Sequence, residues 1–225
     1  MPLMKTIEQE ECVVGIWKIT ETFEQLCDML HMLPRGKGVR AECAMFSSEK
    51  RKREYAAVRS LLYELTGREL TIDYFPSGRP FLRDEKTSIS ISHTAGYAAV
   101  ILSATHNVGI DIEAVSRKIL NLKKYFISDK EQADTLYELL LHWSGKEVAF
   151  KLIDQEGIDF CKHLLVKNLS CFASEEHPTT NGSFLTEFHL KTNEFGNILM
   201  KYETTPSYVL VYSFTHKNEK GNSEK

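Results

Sequence analysis

Two carboxylates, Asp111 and Glu113, stand two residues apart in the segment Gly109-Ile110-Asp111-Ile112-Glu113. On a strand, side chains alternate faces, so Ile110 and Ile112 point one way and both acids the other. Neighbouring carboxylates repel, and each raises the other's pKa unless a cation lies between them. Such a pair is a seat for Mg²⁺, which takes a few carboxylate oxygens and keeps positions open for water or phosphate. A half-buried strand with a solvated outer face shows the same pattern, so an isolated D-x-E is not diagnostic. The second segment is Trp143-Ser144-Gly145-Lys146-Glu147-Val148-Ala149-Phe150-Lys151. On a helix, Glu147 and Lys151 lie one turn apart on the face that carries Trp143. A carboxylate between two lysines can complete a metal site while Lys146 and Lys151 hold phosphate oxygens. The plainer alternative is an i,i+4 surface pair worth about 0.3 kcal/mol. Gly145-Lys146 does not end a P-loop, because Glu147 replaces Ser or Thr and the upstream glycine is missing.

Cations that could meet a phosphate lie upstream. Lys50-Arg51-Lys52-Arg53 falls at the start of a predicted helix, with Arg59 further along. Positive charge there opposes the helix macrodipole. A bound polyanion would remove the conflict, since helix N-termini and arginines both favour phosphate; a solvated face is the alternative. Ser90-Ile91-Ser92-His93-Thr94 follows the turn Gly78-Arg79-Pro80 and adds hydroxyls and an imidazole. Ser92 and His93 are adjacent and so face opposite ways on a strand, which argues against a Ser–His nucleophile pair. No G-x-S-x-G, H-E-x-x-H or G-x-G-x-x-G occurs.

The elements that must position these residues are those of an ordinary globular chain. Of 225 residues, 42% are hydrophobic and 26% charged, which excludes disordered and collagen-like classes. A net charge of −3 gives no global attraction to nucleic acid or to an acidic membrane, so any anion site must be local. No apolar run approaches the ~20 residues of a membrane span. Five scattered cysteines without a C-x-x-C pair, and an acidic start lacking a signal pattern, fit reduced thiols and a cytoplasmic location. Hydrophobic periodicity predicts a strand over 12–20 and a helix over 22–33, followed by a loop at 34–38. It predicts a helix over 47–65 that Gly67 ends, then short strands over 70–74, 87–92, 96–104 and 108–113. Helical pieces are expected over 117–154, strands over 164–172, 184–191, 198–202 and 208–214, and a polar tail from Lys217. Separate runs of strands and helices indicate α+β, with two halves, 1–110 and 111–225.

Taken together and in this order, the segments resemble the 4′-phosphopantetheinyl transferases, specifically the larger single-chain type that activates peptide synthetases. The matching elements are Ser77-Gly78-Arg79-Pro80, Ile91-Ser92-His93-Thr94, Gly109-Ile110-Asp111-Ile112-Glu113, Phe126 with Glu131, and Trp143-Ser144-x-Lys146-Glu147-x3-Lys151. They cover roughly residues 45 to 155; the first 40 residues and those after Leu164 carry no signature. The resemblance implies a pseudo-twofold pair of similar two-layer α/β halves, with the active site in the cleft between them. It implies transfer of the 4′-phosphopantetheine arm of coenzyme A to a serine of an apo carrier protein, releasing 3′,5′-ADP. By the same resemblance, Asp111, Glu113 and Glu147 hold Mg²⁺. Arg79, Ser92, His93, Lys146 and Lys151 hold coenzyme A, and Arg53 and Arg59 serve or shape its 3′-phosphate pocket. Catalysis falls to Glu147, Lys151 and Glu113, with Glu147 or a metal-bound water beside Glu113 as general base, and Glu131 orients a lysine. Arg79 stands where lysine is common in the family, and Thr94 where serine is frequent. The expected partner is a carrier of acyl, peptidyl or polyketide type, with no nucleic acid and no membrane, and the expected state is a monomer. A non-catalytic homologue that binds coenzyme A or carrier is the alternative from another class.

Overall fold

The computed structural model describes residues 3–31, 37–171 and 173–217. The expected loop at 34–38 in its first part, the predicted ends at Leu33 and Phe172, and the tail beyond Lys217 lie outside the described residues. The chain is a mixed α+β protein built on antiparallel sheets. Strands β1 (Leu3–Glu8) and β2 (Val13–Lys18) precede helices α1 (Phe23–His31), α2 (Lys37–Cys43) and α3 (Glu49–Thr66). A small hairpin of β3 (Ile72–Tyr74) and β4 (Pro80–Leu82) leads to β5 (Ser88–Thr94), β6 (Tyr97–Ser103) and β7 (His106–Ala114). A 3-10 helix (Arg117–Tyr125) is followed by α4 (Leu136–Ile153), α5 (Phe160–His163) and strands β8 (Leu164–Lys167), β9 (Thr180–His189), β10 (Phe195–Thr204) and β11 (Tyr208–His216). One sheet has the order β1-β2-β6-β5 and the other β7-β11-β10-β9-β8. The change of sheet falls in the β6–β7 turn, earlier than the division expected after residue 110, because Gly109 and Ile110 are mid-strand in β7.

Alternation along the strands sorts their side chains into separate cores. Ala98, Val100 and Leu102 of β6 face α1–α3 together with Trp17, while Ala99 and Ile101 join Val14 and Ile16 on the other side. That second set shares one cluster with Ile110, Ile112 and Leu210 of the other sheet, whose Val209 and Val211 face α4. Each sheet therefore carries helices on its outer face, and the inner faces of the two sheets pack together. The apolar run in β6 is buried throughout because both of its faces are covered.

The two long helices have clear boundaries. Ser48 caps α3 by accepting from Arg51 N at 3.4 Å, and Gly67 ends it in the left-handed region (φ 63°). Thr135 and Glu138 form a capping box at the start of α4, and Asp154 closes that helix at φ 51°. Both helices lie close against a strand. A Cβ at Gly15 would meet Leu61 Cδ1 at 2.8 Å, and one at Gly109 would meet Val148 O and Leu152 Cγ at 3.0 Å. Strand β1 and helix α2 were not predicted, since neither short segment has a decisive apolar period.

Candidate active site

The acids of β7 face α4, as the alternation requires. Asp111 is buried at 4% exposure and its Oδ1 accepts from Lys151 Nζ of α4 at 3.0 Å. Lys151 also donates to Ile110 O at 2.8 Å, so one ammonium holds both the acid and the strand that bears it. Glu113 Oε1 accepts from Trp143 Nε1 at 3.1 Å, which puts Trp143, Glu147 and Lys151 on one face of α4. Burial first, and then the Asp111 charge, raise Glu113 above the usual carboxylate range, against the hydrogen bonds from Trp143 and Thr94 and the charge of Lys151. Glu147 is pushed up to about 7, chiefly by burial and then by Asp111; Lys151 opposes this and Glu113 adds to it. The three acids thus share one electrostatic environment.

Strands β5 and β7 are edges of different sheets and are joined by side chains. Ser90, Ser92 and Thr94 Oγ accept from the backbone N–H of Ile110, Ile112 and Ala114, each at 3.2 Å. A period-two row of hydroxyls satisfies the edge donors of β7 in place of backbone carbonyls. The same hydroxyls donate to the acids: Ser92 to Asp111 Oδ1 at 2.9 Å and Thr94 to Glu113 Oε2 at 3.2 Å.

Helix α3 supplies the facing wall. Arg51, Glu54, Tyr55, Val58 and Arg59 form a stripe at helical spacing along a cavity of ≈ 270 Å³ that also takes in His93, Ser92 and Lys151. An adjoining cavity of ≈ 510 Å³ shares Gly78, Pro80, Ile91 and Lys151 with it and reaches Glu147, Phe150 and Arg79. Arg79 Nη1 lies 3.4 Å from Asp154 Oδ2, a link from the β3–β4 turn to the end of α4. A larger cavity, ≈ 580 Å³, opens beyond Tyr55 and Arg59; of the three acids only Glu147 lines any of these three cavities, the one of ≈ 510 Å³.

Among the residues predicted for the site, the structure brings Asp111, Glu113, Glu147, Lys151, Ser92, His93, Arg59 and Arg79 to this seam and its two cavities. Ser92 and His93 point apart, the former to β7 and the latter to α3. Two predicted coenzyme A ligands are turned elsewhere. Lys146 has no exposed side chain, and its three donors go to Phe126 O (2.6 Å), Phe160 O (3.0 Å) and Glu131 Oε2 (2.6 Å). No donor is left for a phosphate. Its helix neighbours at 143, 147 and 151 point to the acids, and Lys146 lies about 60°, 100° and 140° around the axis from them, respectively. Glu131, which also accepts from Val166 N at 2.8 Å, holds this lysine away from the acids rather than in the metal shell where it was expected to orient one. Arg53 donates to Ile19 O at 3.1 Å, on the side of α3 away from the cavity. Arg51, not Arg53 as expected, stands on the cavity wall with Arg59, and helical periodicity within the basic run contained that signal. Glu54 and Tyr55 were not singled out, although they lie on the same stripe.

The donor set suits a hard cation. The acids offer carboxylate oxygens alone, and Asp111 Oδ2 is buried without a hydrogen-bond partner. Among the described residues, no group of three or more His, Cys, Asp or Glu stands as a ready-made ligand cage. Lys151 instead neutralises Asp111 directly. None of the helices described is long and apolar enough to cross a membrane. No family model matches the chain, and no curated protein sequence matches it.

Proposed function

We propose that this protein is a Mg²⁺-dependent 4′-phosphopantetheinyl transferase that moves the phosphopantetheine arm of coenzyme A onto a serine of an apo carrier protein. One observation carries this reading. Asp111, Glu113 and Glu147 meet electrostatically at the seam, with one Asp111 oxygen buried without a partner, and Lys151, which pairs with Asp111, also lines the cavity that presents Arg51, Arg59 and His93. Acids alone would repel a pyrophosphate, and cations alone would bind it without acting on it. The order of motifs supports the family, and a sheet with an 18-residue helix in each half is compatible with its fold.

In the reaction the serine hydroxyl attacks the phosphorus next to the pantetheine arm. The new O–P bond forms as the bond to the leaving phosphate of 3′,5′-ADP breaks. Bound Mg²⁺ would neutralise charge on the pyrophosphate oxygens, held by Asp111, Glu113 and Glu147. Lys151, already within reach of Asp111, follows the charge onto the leaving phosphate. Glu147, which burial makes a stronger base than an exposed carboxylate, would take the serine proton. Arg51, Arg59 and Arg79 hold phosphates, and the seam hydroxyls of Ser92 and Thr94 fix the two acids of β7. One chain supplies both walls, so a monomer suffices.

The Lys151–Asp111 ion pair favours a second reading, a homologue that binds coenzyme A or a carrier without transfer. Intact-protein mass spectrometry separates the two. Apo acyl carrier protein mixed with this chain, coenzyme A and Mg²⁺ should gain the mass of phosphopantetheine, and EDTA should abolish the gain. Binding of coenzyme A with no gain on fatty-acid, polyketide or peptide carriers would favour the second reading; no binding would overturn both.

A further inference from the structure

Lys146 is turned from the acids, yet its partners lead back to one of them. The two carbonyls that it holds belong to Phe126, just past the 3-10 helix, and Phe160, the first residue of α5. The rings of these same two residues pack on the Trp143 indole, with centroids 5.4 Å and 5.7 Å from it. Trp143 Nε1 in turn donates to Glu113 Oε1 at 3.1 Å. Glu131 completes the node. Its Oε2 accepts from Ser128 N and Oγ, each at 3.0 Å, as well as from Lys146, and its Oε1 accepts from Val166 N of β8. One ammonium on α4 therefore ties down two segments whose rings set the place of an indole, and that indole holds an acid of the site. Trp143 and Phe160 border a cavity of ≈ 490 Å³ that reaches Glu147, so the indole has room to move when its neighbours shift.

We propose that Lys146 is a positioning residue for Glu113, acting through Phe126, Phe160 and Trp143. The inference rests on the transferase reading, which makes Glu113 a metal ligand. The charges that bear on Glu113 and Glu147 are those of the acids and Lys151, so Lys146 acts by placing side chains and not by its own field. Without Lys146, the carbonyls of Phe126 and Phe160 lose their buried donor. Both segments then relax, their rings release the indole, and its N–H no longer meets Glu113 Oε1. Thr94 still donates to Oε2, so Glu113 stays in the site but loses its fixed orientation. A group that orients a metal ligand from outside contributes about tenfold or more to activity.

The test compares the full wild-type chain with Lys146→Met, Trp143→Phe and the two combined. It adds Lys146→Met with Glu131→Gln, which leaves no buried charge unpaired. At saturating coenzyme A and Mg²⁺, carrier modification should fall about tenfold in Lys146→Met, and about tenfold in Trp143→Phe, which keeps a ring and removes the indole N–H. Lys146→Met with Trp143→Phe should also lose about tenfold, not about a hundredfold, because both changes break one link. Lys146→Met with Glu131→Gln should regain stability without regaining turnover, since the two carbonyls remain untied. In proton–nitrogen-15 spectra of the metal-free protein, the Trp143 indole signal should move upfield in both variants that carry Lys146→Met and an intact Trp143. The signal of Trp17, the other tryptophan, should stay in place. Turnover that returns with stability, losses that multiply, or an unmoved Trp143 signal would overturn the proposal and leave the transferase reading intact. No transfer by wild type would overturn both.

Discussion

Helices α3 and α4 are each 18 residues long, each rests on a strand glycine, and each lines the same seam, yet they treat charge in opposite ways. Helix α3 packs one side on the N-terminal sheet and leaves its basic start at the surface, so its cations are graded by position. Arg53 is spent on a backbone carbonyl, while Arg51 and Arg59 face the cavity. Helix α4 is enclosed by β7, β11, the 3-10 helix and the strands β8–β10. Its buried Lys146 therefore had to find a full set of partners. Burial turns a charge into either a structural tie or a reactive group, and about 140° of rotation separates these fates for Lys146 and Lys151.

The contrast can be broken most directly at the acids that α4 faces. Asp111→Ala should lower carrier modification by about a thousandfold, as expected for loss of a metal ligand, while circular dichroism stays native; full activity would show that the acid wall is not the reacting one. Lys146→Met should act on stability and not on ligand affinity. Removing one partner of a buried pair costs about 3 kcal/mol, readable as a lower denaturation midpoint, and Lys146→Met with Glu131→Gln should recover part of it. A Lys146→Met variant of wild-type stability that bound coenzyme A poorly would return this lysine to the binding site.

A smaller effect is expected from pH. Glu147 has a pKa near 7 in the folded protein and a lower one when unfolded, so between these values the native state holds more protons. Metal-free stability should therefore fall as pH rises from about 4.5 toward 7 and level off above it, by roughly 2 kcal/mol in all, and Mg²⁺ should stabilise the protein more at pH 8 than at pH 5.5. Thermal melts with and without the ion check both signs; a stability that rises from pH 6 to 8 would place Glu147 in a different environment. The smallest effect separates neighbours on α3. Arg51→Ala should weaken 3′,5′-ADP about tenfold through one lost charge-assisted contact, whereas Arg53→Ala should change its affinity less than twofold. Equal losses would mean that the stripe does not define the cavity wall.

Much of the frame was legible in the chain. The alternation in β7 correctly put Asp111 and Glu113 opposite Ile110 and Ile112, and helical spacing joined Trp143, Glu147 and Lys151. Ser48, Gly67 and the period of α3 placed its limits within a residue or two. Less was legible where partners come from far away. Nothing local tells Lys146 from Lys151, since their difference is made by Glu131 and two carbonyls from loops beside α4. Ser90, Ser92 and Thr94 read as strand residues with hydroxyls to spare, until β7 arrives beside them.

The sequence by itself determined which faces are apolar, where the long helices begin and end, and which residue types could act on a phosphate, because these depend on neighbours within a turn or a pleat. Only the tertiary structure decided which of those residues meet. Assembly of the two sheets set the seam, enclosed α4, and left Asp111 with one oxygen tied and one unpaired. Burial and distance between remote segments set electrostatics, and neither is a property of spacing along the chain.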